Sequence, residues 1–253
     1  MSVDPRAASG FADVAHAYAQ GRPSYPVEAI DHIVAGFQLD EASSVLDLAA
    51  GTGQLSRLFR MRVRRVIAVE PASAMRARVA ADLPDVTIVG GTAEAIPLAD
   101  GAVDAVVIGE AFHWFDTASG TAEIARVLRP TGGLALLWNT PTWTDETTPW
   151  LKDFRQLVAH HKQAAGGYPA GEGRWRDEIM HTGLFTDLQY AEFHHTQTLE
   201  LAHFLALVAS WSWIANLDEH QKQAALDDVA ALIEREHRVE IPYRTDLYLA
   251  RPS

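Results

Sequence analysis

Ser44-Val45-Leu46-Asp47-Leu48-Ala49-Ala50-Gly51-Thr52-Gly53-Gln54-Leu55-Ser56 decides the fold. Three of its first five residues are apolar and suit a buried strand, the glycines a tight loop, and Gln54 onward a helix start. A second apolar run, Val66–Val69, ends on Glu70. A strand, a glycine turn, a helix and an acidic residue at the tip of the next strand form the pattern by which a doubly wound α/β sheet holds an adenosine-containing cofactor. Small residues let the backbone approach the ligand. The carboxylate at position 70 accepts hydrogen bonds from both ribose hydroxyls.

Outward from this stretch, short apolar runs alternate with helical patterns. Val45–Leu48, Val66–Val69, Val86–Val89, Ala105–Ile108 and Leu134–Trp138 read as strands, with helices over Gln54–Arg62, Ala72–Leu83 and Thr117–Leu128. Continuous apolar runs imply strands covered on both faces, hence a parallel sheet. A helix with Val27, Ile30, Ile33, Val34 and Phe37 at helical spacing precedes them. Beyond Asn139, residues 141–175 carry Trp143, Trp150, Tyr168 and Trp175 among Gly, Pro and Thr. Arg174–Thr182 reads as a helix and Phe185–Thr198 as a strand. Ala202–Ile214 and Gln221–Glu236 are two further helices, and Val239–Arg251 is a last strand. The expectation is one α/β domain over residues 1–253. Residues 1–40 form a lid and helix, 44–140 the cofactor core, and 141–253 substrate-side insertions and two strands. The sheet has seven strands, the seventh antiparallel.

The bulk numbers narrow the partners. The 253 residues carry 21 basic and 33 acidic side chains, a net charge of -12. A nucleic-acid partner calls for a basic footprint, so none is expected. Anionic membranes are disfavoured for the same reason, and no run reaches the ~20 apolar residues of a membrane span. With no cysteine, disulfides and thiolate metal sites are excluded, and the histidine pairs lack a third ligand at metal spacing, so no metal is expected. The N-terminus lacks the apolar core of a signal peptide, which points to the cytoplasm. Composition leaves the oligomeric state open.

A nicotinamide fingerprint requires glycine three residues after its second glycine. Here that position is Ser56, and an acidic residue, Asp47, precedes the loop. Both departures favour another adenosine cofactor, with a nicotinamide oxidoreductase as the alternative. The segment resembles motif I of the class I S-adenosylmethionine-dependent methyltransferases, with Asp47, Gly51 and Gly53 matched and Ala49 standing where the first glycine is usual. Tyr18-x-x-x-Arg22-Pro-Ser-Tyr-Pro26, Gly91-Thr-Ala-Glu-Ala-Ile-Pro-Leu98, Glu110-Ala-Phe-His-Trp-Phe115 and Pro242-Tyr-Arg-Thr-Asp-Leu-Tyr-Leu-Ala-Arg251 occur in the same order. Together they resemble the type 11 small-molecule methyltransferases, the group of the trans-aconitate and cantharidin-type enzymes, over nearly the whole chain.

The resemblance implies bound S-adenosyl-L-methionine beneath a lid made from residues 1–25. Asp47, Ala49, Gly51 and Gly53 hold it from the loop. Glu70 and Pro71 lie at the ribose, and Thr92, Ala93 and Glu94 share the adenine-side positions. Met75 either covers the adenine or packs in the core. Tyr18 and Arg22 lie four apart on one helical face, where Arg22 pairs with a carboxylate of the cofactor or the acceptor, or joins Tyr18 in a structural contact. Glu110, where the group commonly has Gln, sits near the sulfonium. Phe112, Trp114 and Trp143 are candidates for an aromatic cage around cation and acceptor, although Trp143 also suits a small core of the insertion. A carboxylate acceptor needs no base. A hydroxyl or amine acceptor does, and His113 is then the first candidate and Glu110 the second. The expected reaction is in-line methyl transfer to a small molecule. A cofactor-binding regulatory module without turnover shares the same fold.

Overall fold

The computed structural model describes residues 21–144, 148–164, 174–186, 188–211, 214, 217–234, 236 and 238–253. Tyr18, Tyr168 and the first twenty residues of the expected lid lie outside them.

Seven strands form one sheet: β1 Ser44–Leu48, β2 Arg65–Val69, β3 Thr87–Val89, β4 Val103–Gly109, β5 Leu128–Pro141, β6 Gln189–Glu200 and β7 Arg238–Ala250. Their spatial order is β3-β2-β1-β4-β5-β7-β6. The first five run parallel, and β7 runs antiparallel to both β5 and β6. This is the expected doubly wound α/β sheet with an antiparallel seventh strand. The strand order reverses between β1 and β4, so the connections leave their carboxyl ends in opposite directions and a crevice forms there.

Side-chain alternation builds a core on each face of the sheet. Val45, Ala105, Val107, Ala135, Leu137 and Leu249 point to one face. There α1 (Val27–Phe37), α2 (Gln54–Phe59) and α3 (Ser73–Asp82) bring Ile30, Ile33, Phe37, Leu55, Phe59 and Val79 against them. Leu46, Leu48, Val106, Ile108, Leu134 and Leu136 point to the other face. They meet Ile124 and Val127 of α4 (Thr117–Val127) and Ile179 of α6 (Arg174–His181). A third core lies in the insertion, where α5 (Leu151–Ala164), α7 (Leu201–Ala209) and α8 (Glu219–Leu232) pack Leu151, Phe154, Phe204, Leu207 and Val229 together with Ile241 of β7.

Several boundaries differ from the sequence reading. β5 begins at Leu128, because Val103 pairs with Leu128 and Ala105 with Gly133, so Arg129–Gly132 bulge between them. Gly133 is required there, since a Cβ would lie 2.1 Å from the Phe37 ring. The sixth strand starts at Gln189, whereas Phe185 is buried and forms an isolated bridge to Pro252. Within the aromatic 141–175 stretch, Leu151–Ala164 is a fourteen-residue helix, which carries His160 and His161.

Candidate active site

The loop after β1 is held from both sides. Asp47, only 2% exposed, accepts through Oδ2 from the Ser56 amide at 2.8 Å and the Ser56 hydroxyl at 2.6 Å. Ser56 thus ties the strand end to the first turn of α2. Burial raises the Asp47 carboxyl to about pKa 6, against the opposing effect of these two hydrogen bonds. The chain then turns through left-handed conformations at Ala49 (φ 57°), Gly51 (φ 55°) and Gly53 (φ 79°). This explains why glycine is usual where Ala49 stands: the Cβ strains that conformation.

Glu70 closes the loop from β2. Its two carboxylate oxygens accept from the amides of Gly51 (2.9 Å) and Ala72 (2.8 Å). Arg76 holds the carbonyls of Glu70 and Pro71 at 2.9 and 2.7 Å. Glu70 is buried, and burial pushes its carboxyl up despite the two amides and the Arg76 charge. The amides use one direction at each oxygen and leave lone pairs for a vicinal diol.

Two small cavities, each of about 120 Å³, lie back to back at the carboxyl ends of β1, β2 and β4. The first reaches between Leu48, Glu70, Pro71, Met75, Thr92, Ala93, Glu94, Trp114 and Phe115. The second is lined by Arg22, Tyr25, Asp47, Thr52, Asn139, Leu207, Trp211 and Tyr243 among others. Ala49, Gly51, Gly109 and Glu110 border both. Glu110 also has a left-handed backbone (φ 57°), its amide donates to Leu137 O at 2.9 Å, and its carboxylate accepts from the Asn139 amide. Burial raises its pKa, and the nearby Asp246 adds to this, while the Asn139 amide and the Arg22 charge oppose it.

A strap, residues 21–25, covers the second cavity. Arg22 donates to the Ser210 hydroxyl at 3.0 Å and the Ser210 carbonyl at 3.1 Å, at the end of α7. Gln197 of β6 donates to Gly21 O at 3.1 Å, and Asn139 of β5 to Ser24 O at 3.2 Å. Tyr25 lies over Gly109, where an added Cβ would come within 2.2 Å of its hydroxyl.

The structure brings Ala49, Gly51, Glu70, Pro71, Met75, Thr92, Ala93, Glu94, Glu110 and Trp114 to the first cavity, and Arg22 and Asp47 to the second. Gly53 lines neither and serves as the helix N-cap. None of the four expected acceptor-side residues lines the second cavity: Trp114 lines the first, and the other three line neither. Phe112 is wholly buried in the sheet core, against Phe115 and Trp175. Trp143 belongs to the insertion core, its ring packed on Trp150, Phe154 and Phe204 and its indole N–H bonded to Glu240 O at 2.9 Å. His113, on a short 3₁₀ turn, is exposed and lines neither cavity. The turn swings Phe112 inward and Trp114 toward the first cavity, which leaves His113 on the outside. Sequence reasoning missed Thr52, Asn139 and Tyr243. The last two reach the site through the antiparallel β5–β7 pairing, Asn139 opposite Thr245 and Pro141 opposite Tyr243, over a hundred positions apart.

The donor set fits S-adenosylmethionine. A ribose diol suits the free lone pairs of Glu70, and the apolar sides of Met75, Ala93 and Trp114 suit a purine. In the second cavity the Thr52 hydroxyl is buried with no hydrogen-bond partner, an open position for a polar ligand group. Among the described residues no helix is long and apolar enough to cross a membrane.

Comparison with known proteins supports the same cofactor. A methyltransferase-domain family profile matches residues 46–136. An uncharacterized methyltransferase of Mycobacterium tuberculosis is 37% identical over 223 residues, 88% of this chain and 85% of that protein. An uncharacterized methyltransferase-like protein of Schizosaccharomyces pombe is 34% identical over 222 residues, 86% of this chain and 84% of its own. Among solved structures, a candidate type II methyltransferase of Anaeromyxobacter dehalogenans shares the fold with a TM-score of 0.68 at 22% identity, covering 91% of this chain and 97% of that one. A Haemonchus contortus N-methyltransferase solved with S-adenosylhomocysteine does so with a TM-score of 0.54 at 14% identity, covering 95% of this chain and 57% of that one. These relationships decide between the two adenosine cofactors in favour of the methyl donor: the chain belongs to the class I S-adenosylmethionine-dependent methyltransferases.

Proposed function

We propose that this methyltransferase acts on a small molecule held in the second cavity, with the methyl delivered in line across the Gly109–Glu110 wall. The observation that carries the reading is the pair of adjoining cavities with that wall in common. When bound, S-adenosylmethionine supplies a methyl group already activated by a sulfonium. The protein's task is therefore placement and exclusion of water. Holding the acceptor close and aligned is worth up to about 7–11 kcal/mol of barrier.

Each residue then has a role. Glu70 takes the ribose diol, and Met75, Ala93 and Trp114 flank the adenine, with Pro71, Thr92 and Glu94 at its rim. Asp47, Thr52 and the Gly51 backbone hold the amino-acid end at one side of the second cavity, and the acceptor takes the Arg22, Tyr25 and Tyr243 side. Arg22, Tyr25, Leu207 and Trp211 roof the acceptor. Of the two candidate bases, Glu110 faces both cavities and His113 neither, so Glu110 is the group placed to receive a proton. The strap and α7 close over a space suited to a metabolite, and the net charge of -12 disfavours a polyanion.

Calorimetry with S-adenosylmethionine and NAD, followed by labelled methyl transfer over a metabolite panel and over bulk tRNA, tests this reading. Binding of the sulfonium cofactor and label on a small molecule are expected. Label on tRNA alone refutes the small-molecule assignment, and tight binding with no transfer to any acceptor favours the regulatory module.

A further inference from the structure

Tyr243 is the ionisable residue of the second cavity to which the roles above assign a side but no task. It lies on β7, 3% exposed, and lines that cavity together with Glu110 and Arg22. Its ring stacks on His195 of β6, with centroids 5.3 Å apart and planes at 17°. His195 Nδ1 lies 3.4 Å from the Thr245 hydroxyl, which donates to Asn139 Oδ1 at 2.6 Å. The backbone N–H of Asn139 in turn donates to the Glu110 carboxylate. One network of β5, β6 and β7 thus fixes the phenol ring and the Glu110 carboxylate together. Among the described residues nothing hydrogen-bonds the Tyr243 hydroxyl. On the cavity wall that hydroxyl is open to a ligand group.

We infer that the methyl acceptor is a hydroxyl group, held between Glu110, which accepts its proton, and Tyr243, which donates to its oxygen. This rests on the methyl-transfer reading above and names the acceptor atom. A hydroxyl is both donor and acceptor, as this pair of walls requires. Its oxygen has two lone pairs: one accepts from Tyr243 and the other attacks. A neutral amine has a single lone pair, which the phenol would occupy. A carboxylate would set a second negative charge beside Glu110, with the single Arg22 charge left to offset both. Burial and the Glu110 charge push the Tyr243 pKa up, outweighing the opposing Arg22 charge, so the phenol remains a donor. In the transfer, a carbon–oxygen bond forms as the carbon–sulfur bond breaks. The electron pair stays on sulfur, which becomes a neutral thioether, and the acceptor proton passes to Glu110 and then to solvent.

The test uses three probes of one shape, p-cresol, p-toluidine and p-toluate, with labelled S-adenosylmethionine, on the full chain and on Tyr243→Phe. Calorimetry measures donor binding, and p-cresol is titrated separately into the S-adenosylhomocysteine complex. The wild type is expected to label p-cresol fastest, on oxygen. Tyr243→Phe is expected to keep its donor affinity, to bind p-cresol more weakly and to lose about tenfold in kcat/KM, the scale of one hydrogen bond. Faster transfer to the toluidine or toluate probe overturns the inference. So does undiminished transfer to p-cresol by the variant, or transfer to none of the three by a protein that binds the donor. Failure of the wild type to bind S-adenosylmethionine would instead overturn the methyl-transfer reading itself. A melting curve for Tyr243→Phe checks folding, and Tyr243→His, which restores a donor, is expected to recover part of the loss.

Discussion

Replacing Asp47 by Asn separates what this carboxylate does for the fold from what it does for the ligand. In the unfolded chain Asp47 loses its proton near pH 3.8, and in the folded protein at about 6, chiefly because it is buried. Between these values the folded state holds a proton that the unfolded state has released. Stability therefore falls as pH rises through that window and stays lower above it. At 1.36 kcal/mol per tenfold, the separation amounts to about 3 kcal/mol. Asparagine keeps one carbonyl oxygen for the two Ser56 donors, now at 2.8 and 2.6 Å, and carries no charge to desolvate. Urea denaturation followed by tryptophan fluorescence should find Asp47→Asn more stable than wild type by up to about 3 kcal/mol at pH 8. The gap should close toward pH 4, where the wild-type carboxyl is neutral too. Affinity for S-adenosylmethionine should fall over the same pH range in which stability is gained. Parallel stability curves from pH 4 to 8, or a variant less stable at pH 8, would refute the reasoning.

Glu70→Gln leaves one of the Gly51 and Ala72 amides facing an NH₂ group and weakens the diol contact. A stability loss of about 1–3 kcal/mol and a ten- to hundredfold rise in the cofactor Kd are expected from denaturation and calorimetry. Ala49→Gly relieves a Cβ at φ 57°. It should stabilise the protein by about 1 kcal/mol, seen as a rise in Tm of about 2–4 °C; an unchanged or lower Tm would count against strain at this loop. Glu110 must be deprotonated to act as a base. Its pKa is raised by burial and Asp246, against the Asn139 amide and Arg22, with Tyr243 also facing it. The rate on a proton-bearing acceptor should therefore fall as pH drops, with a midpoint above that of an ordinary carboxylate, and Glu110→Gln should remove that limb of the profile.

The donor half of the site was legible in the sequence because it is local. Asp47, the glycine loop and Glu70 fall within 24 positions, and their order follows from two successive βα units. Even Ser56, first read as a missing glycine, is the residue that clamps Asp47. The acceptor half was not legible, because it is built by pairing across the chain. Asn139 comes opposite Thr245, and Pro141 opposite Tyr243, only once β7 inserts between β5 and β6. The aromatic segment after β4 misled for a related reason. Their position at the carboxyl end of β4 placed Phe112, His113 and Trp114 at a ligand edge, but the 3₁₀ turn buries Phe112 and leaves Trp114 alone of the three at a cavity. Trp143 likewise reads as a cage residue, until α5 and α7 supply it with a core of its own.

The central claim is that donor and acceptor meet at the Gly109–Glu110 wall. A structure of the protein with S-adenosylhomocysteine tests it most directly. The account predicts ribose hydroxyls on the Glu70 carboxylate, adenine beside Met75 and Trp114, and sulfur at the wall, facing Glu110 and Tyr243. Adenine in the second cavity, or sulfur turned away from Glu110, would contradict it.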